Sequence, residues 1–319
     1  MFLYPEVLAM LIINTLSVVF GIIAFALSVK IFLKWDFNST SQSQYKLEKQ
    51  SFLASTIIKY IFAIKVPLFI FFIFTLDKIS SILPGAMCAA GVVDATQYGS
   101  YLLIFKVLNL YIFAYWLVLN HEDMKQEEQP YTKLKFGIFI PIFFLFISEF
   151  VVELLMFNAI DINKVVDCCG VIFSSLSGSY FSSVFAIPTS ILLTIFYVNF
   201  LLIGLFYFLK NRYLFALSNV VFIITSITTL ILFFGTYIYE LPTHHCPFCF
   251  LQRDYDYVGY LLYILLFVGT FYGLVIGLIE FSKRDVKRYF NISFLFDLVY
   301  ILVVSGYPIF YYIKNGVWL

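Results

Sequence analysis

The sequence predicts an all-α, polytopic membrane helix bundle of about eight transmembrane helices, and three observations carry that prediction. Hydrophobic residues make up 62% of the chain and charged ones only 12%, where ordinary globular domains carry about 25% charge. Apolar runs of about 20 residues, the length needed to cross roughly 30 Å of hydrocarbon, recur along the chain. Lys and Arg are unevenly shared between the two sets of connections that these runs create.

The runs lie near 8–32, 54–76, 98–120, 136–158, 184–209, 213–238, 258–281 and 290–313. Backbone polar groups facing lipid must be satisfied within each segment, so each run is expected to be an α-helix. Met1-Phe2-Leu3-Tyr4-Pro5-Glu6 lacks a basic signal-peptide start and reads as the entry to a retained first helix. One set of connections holds thirteen cations: Lys30, Lys34, Lys46, Lys49, Lys125, Lys133, Lys135, Lys210, Arg212, Lys283, Arg284, Lys287 and Arg288. The other holds four, Lys78, Lys164, Arg253 and Lys314. The first set is expected in the cytoplasm, which turns both termini outward. The polar stretch Trp35 to Ser51 reads as a mobile linker, and Glu122 to Lys135 as a solvated, mixed-charge face. No phosphate-binding glycine motif appears; the net charge of +1 says nothing about nucleic acid, but no long basic patch exists and no nucleic-acid partner is expected. The chain reads as one transmembrane domain, 1–319, in the inner membrane of a bacterium, with three cysteine-bearing outer loops at 77–97, 159–183 and 239–257.

All five cysteines fall in those loops and none within a span. Thr243-His244-His245-Cys246-Pro247-Phe248-Cys249-Phe250-Leu251-Gln252-Arg253 concentrates two cysteines, two histidines and an arginine just before a span. Two sulfurs three residues apart at a helix start share a face near its positive end, which stabilises a thiolate. Arg253, four residues after Cys249, would continue that face. Asp167-Cys168-Cys169-Gly170 offers an adjacent pair, able to form a strained, easily reduced disulfide or to bind a soft metal. Pro84-Gly85-Ala86-Met87-Cys88 adds two further soft donors. Met87, Cys88, Cys168, Cys169, His244, His245, Cys246 and Cys249 together form a donor set suited to Cu(I). Disulfide pairing stays open, since five cysteines allow several connectivities.

The run Cys246-Pro247-Phe248-Cys249-Phe250-Leu251-Gln252-Arg253 resembles the quinone-linked disulfide oxidoreductases of the bacterial DsbB family. The resemblance covers these eight residues. It implies thiol–disulfide exchange in which electrons pass between extracytoplasmic thiols and a membrane quinone through Cys246 and Cys249, with Arg253 as the quinone-side cation. Cys168 and Cys169 would then relay electrons to an outside thiol protein. Two alternatives stand beside it. One is a handling protein that passes copper or another soft metal to an outside carrier. The other is a transporter or assembly subunit whose cysteines staple its loops.

Charges inside spans are costly and mark function or pairing. Lys65, Lys106, Glu149, Glu153 and Asp297 are such charges. Lys106 and Glu149 fall at similar depth and are expected either to pair or to join a proton path. Gly269, Gly273 and Gly277 recur every fourth residue, a stripe that admits a neighbouring helix closely. Tyr257 and Tyr260 are candidates to line a site beside the cysteines.

Overall fold

The computed structural model describes the chain except residues 38, 40, 167–187 and 280–282, and only the backbone of Lys283 and Arg284. Among the described residues the regular structure is helical, and eight helices are long and apolar enough to cross a membrane. Each predicted span is present: Pro5–Lys34, Gln42–Ser80, Gly99–Met124, Thr132–Ala159, Thr189–Leu209, Arg212–Tyr239, Val258–Leu278 and Asp285–Asn315. The molecule is therefore an integral membrane protein of the all-α class.

In chain order the helices are α1 (Pro5–Lys34), α2 (Gln42–Ser80), the short α3 (Ala89–Asp94), α4 (Gly99–Met124) and α5 (Thr132–Ala159). Then come α6 (Thr189–Leu209), α7 (Arg212–Thr229), a π-turn over Leu230–Phe234, and the short α8 (Gly235–Tyr239). The last two are α9 (Val258–Leu278) and α10 (Lys283–Asn315). Two local signals shape the ends. Pro5 at the first turn of α1 costs no hydrogen bond there, and Lys34 in its last turn suits the helix dipole. Asn211 caps α7 by accepting from Leu214 N at 3.2 Å, after Lys210 closes α6 in the left-handed conformation.

The chain divides into two compact units. The first comprises Met1–Pro84 and Val92–Lys164, and the second Gly85–Gly91 and Val165–Leu319. In the first, α1 packs on α2, α2 on α4, α4 on α5 and α5 back on α1, which closes a four-helix ring. Its core is aromatic: Phe62 stacks on Phe113 with centroids 4.3 Å apart, and Trp116, Phe139, Phe143 and Phe146 surround them. In the second, α6, α7, α9 and α10 follow the same ring order.

Two stretches expected to be solvated are built into the first unit instead. Helix α2 begins at Gln42, not after Ser51, because Ser41 caps it by accepting from Gln44 N at 3.3 Å and Gln44, Leu47 and Ser51 are buried. Between α4 and α5, Asp123 and Lys135 pair at 2.7 Å with both side chains fully buried. Asp123 also accepts from Tyr131 N and Thr132 Oγ1, while the Trp116 indole donates to Lys135 O at 2.9 Å. Lys125, Glu127, Glu128 and Lys133 stay exposed, as a mixed-charge turn suggests, while Asp123 and Lys135 turn inward and partner each other.

The glycine stripe serves as predicted for close approach. A Cβ on Gly277 would meet Ala216 Cβ at 2.6 Å, and one on Gly273 would run into the Asn219 carboxamide. Gly273→Ala is therefore expected to cost about 1–3 kcal/mol by overpacking α7 against α9. Denaturant unfolding of the purified protein in mixed micelles measures it, and a variant as stable as the parent would refute the close packing.

Candidate functional site

The second unit carries the cysteine motif in irregular chain, contrary to the expected helix start. After α8 ends, Glu240 turns in the left-handed conformation and residues 241–248 run without regular structure. Cys249–Leu251 and Arg253–Tyr255 form separate 3₁₀ turns. Asp256 and Tyr257, with φ of 52° and 56°, interrupt the chain again before α9 begins at Val258. Pro247 adds to this by disfavouring helical backbone at Cys246. Cys246, Cys249 and Arg253 thus share no helical face, and Arg253 is exposed. Tyr257 is exposed as well. Helix α9 starts nine residues beyond Cys249, so neither cysteine belongs to its first turn.

What the loop does achieve is a convergence of three sulfurs. Cys88, Cys246 and Cys249 place their Sγ atoms within 4.8 Å of one another, at exposures of 0%, 1% and 5%. Cys88 Sγ and Cys246 Sγ are 3.5 Å apart, a non-bonded contact against the roughly 2.05 Å of a disulfide. The Phe248 N–H points at Cys246 Sγ from 3.5 Å, a contact that favours negative charge on sulfur. Gln252 Nε2 donates to Met87 O at 3.0 Å and so ties the segment carrying Cys88 to the motif.

Aromatic side chains fix the loop's backbone. The Tyr239 hydroxyl donates to Cys246 O and accepts from Phe250 N at 3.1 Å. The Tyr263 hydroxyl donates to Pro247 O at 2.7 Å. Phe250 packs against both tyrosines, and a Cβ on Gly259 would collide with its ring. Neither Tyr239 nor Tyr263 stands out in the sequence, since interfacial tyrosines are commonplace.

The remaining soft donors lie outside the sulfur triad. His244 sets its ring edge-on to Tyr239 with centroids 4.5 Å apart, and His245 Nδ1 sits 3.1 Å from Ile231 O. Burial holds the His245 imidazole below its ordinary range; the Ile231 carbonyl opposes that and His244 reinforces it. Met87 is 67% exposed. Cys168 and Cys169 lie outside the described residues.

The first unit holds its own polar cluster. Glu149 Oε1 is 2.9 Å from both Lys65 Nζ and Lys106 Nζ, and Lys106 Nζ is 2.6 Å from Glu153 Oε2. Asn14 donates to Glu153 and accepts from Lys65, and Asn109 donates to Glu149 Oε2 at 2.6 Å. All six side chains are buried, and the two lysines balance the two glutamates. A cavity of about 10 Å³, close to the size of one water, is lined by Lys65, Lys106 and Glu149. The sequence marked the charges; the two asparagines went unmarked, although Asn109 stands three residues after Lys106 on the same helical face. Asp297 takes no part in this cluster and lies in the second unit.

No protein-family model matches the chain, and no curated protein or solved structure is similar to it.

Proposed function

We propose that the protein is a membrane-embedded handler of a soft metal ion, Cu(I) by preference, held through Cys88, Cys246 and Cys249. The observation that supports this is the buried convergence of the three sulfurs. Ligands about 2.3 Å from one ion lie about 3.8–4.0 Å from each other, and the separations found, 3.5 Å for one pair and at most 4.8 Å for all, bracket that spacing. Three thiolates in an aromatic, water-poor setting match the preference of Cu(I) for sulfur. His245, next in sequence to Cys246, is a candidate for a further ligand once an ion is bound. The cation asymmetry of the connecting loops supports an outer-side location for the centre, where a metal-carrier protein is the natural donor or acceptor.

A second reading, thiol–disulfide exchange, is favoured by the 3.5 Å contact of Cys88 and Cys246. In it the Cys246 and Cys249 thiols lose two electrons and two protons to a membrane quinone and form a disulfide, which Cys88 can attack.

Competition with a Cu(I) chelator under reducing conditions separates the two. The metal reading expects one Cu(I) retained per chain and a copper–sulfur shell in X-ray absorption. Protein that retains no copper and gives a Cys246–Cys249 or Cys88–Cys246 disulfide in mass-spectrometric mapping replaces it with the exchange reading.

A further inference from the structure

The second unit buries an acid without a counter-charge. Asp297 is 0% exposed in α10, fourteen residues after Lys283 and eighteen before Asn315, about 21 and 27 Å along the axis. It packs against the glycine stripe, so that a Cβ on Gly269 would run into its carboxyl. Its contact with Ser293 Oγ is long, 3.4 Å to Oδ2, and Oδ1 has no hydrogen-bond partner.

No cation can reach it from the packed helices. Thr189–Leu209 and Val258–Leu278 contain no charged residue, and α7 has only Arg212, at its first position. The same holds for the π-turn and α8. On α10 itself the nearest cation is Arg288, nine residues or about 13 Å away. Every other titratable side chain on these elements, apart from those in the first six residues of α10 and Lys314, is a tyrosine. An ionised carboxylate here would face the full cost of a bare charge in a membrane interior, whereas the neutral acid would not.

Two further buried oxygens in the same layer have no partner. Asn219 lies against Gly273, one turn along α9 from Gly269; its Nδ2 donates to Phe215 O at 2.9 Å, but its Oδ1 is orphaned. Ser226 Oγ is orphaned too, and its backbone carbonyl lies 3.5 Å from the hydroxyl of Tyr300, three residues beyond Asp297. Asn219 thus lies one turn along α9 from the carboxyl, and the Ser226–Tyr300 pair one turn along α10 from it.

We propose that Asp297 is a proton-binding site in the core of the second unit, its carboxyl holding a proton between α7, α9 and α10 and exchanging it through Asn219 on one side and Ser226 with Tyr300 on the other. This proposal does not depend on the sulfur centre.

Labelling of the full-length protein with dicyclohexylcarbodiimide, which adds to protonated carboxyls in apolar surroundings, tests it by peptide mass spectrometry. At pH 7 Asp297 is expected to be modified several-fold more than Glu149 and Glu153, whose carboxylates are held by lysines. Labelling is expected to be equal in sodium chloride and choline chloride. Absence of an adduct at Asp297 overturns the proposal, and so does protection by sodium, which would make this a metal-cation site. Asp297→Asn supplies a second reading because the amide mimics the neutral acid. Its melting temperature should come closest to the parent's near pH 4, where the unfolded chain still keeps much of that proton. The parent should then fall below it by on the order of 5 °C at pH 8, because the unfolded chain alone releases the proton as pH rises. A variant already destabilised at pH 5 would show that the fold requires the charge, and would overturn the proposal.

Discussion

Replacing Lys106 with methionine is expected to cost about 3–5 kcal/mol of stability, the range for breaking a buried ion pair. Lys106 lies 2.9 Å from Glu149 and 2.6 Å from Glu153, and all three side chains are almost wholly buried. Its loss leaves two carboxylates with Lys65 as their only neighbouring cation, and Lys65 bonds Glu149 rather than Glu153. Removing Glu153 together with Lys106 leaves one balanced pair, Lys65 with Glu149, and should recover most of that cost. A detergent-unfolding cycle of the two single variants and the double measures this. A Lys106→Met protein within about 1 kcal/mol of the parent would show that the cluster is not what holds this bundle together. The asparagines matter to the same balance. Asn14 supplies an oxygen to Lys65 and an N–H to Glu153, so the network touches α1 as well as α2, α4 and α5. Such a cluster specifies one arrangement of four otherwise similar apolar helices, since any rotation strands a charge in the interior.

At the sulfur centre, Cys246→Ser is expected to lower Cu(I) affinity by more than about 100-fold, beyond the loss typical of disturbing an outer-shell partner. Serine nearly preserves the side chain's volume, so helix content should be unchanged by circular dichroism. Tyr263→Phe provides the contrast. It deletes only the 2.7 Å hydrogen bond to Pro247 O and should weaken binding far less. Equal losses in the two variants would mean that loop geometry, not sulfur ligation, governs the affinity. An unchanged affinity in Cys246→Ser would remove the metal from this site altogether.

Part of this centre was legible in the sequence. Cys246 and Cys249 are marked by their spacing, and Cys88 as a soft donor beside Met87. Which of the five cysteines would meet was not legible, because Cys88 and Cys246 stand 158 residues apart and nothing local couples them. The expected helix at Cys246–Arg253 failed for a local reason that the sequence only half displays. Pro247 is visible, but the left-handed turns at Asp256 and Tyr257 are not, since neither is a residue type that ordinarily demands positive φ. The tyrosines that hold the loop are two of the chain's 24, a residue type common at membrane interfaces.

Taken alone, the sequence determined that this is an all-α membrane protein and where its eight spans lie. The physical reason is that the bilayer acts as a solvent on each segment separately. A run of about 20 apolar residues must be helical wherever it sits, so local composition suffices. Only the tertiary structure decided which polar groups are joined. Between helices surrounded by lipid, association rests on close packing and a few polar contacts rather than on hydrophobicity, and those contacts are set by helix rotation and depth. That is why Lys65 acquired Asn14 as a partner, why Asp123 and Lys135 turned inward, and why three cysteines distant in sequence share one buried point.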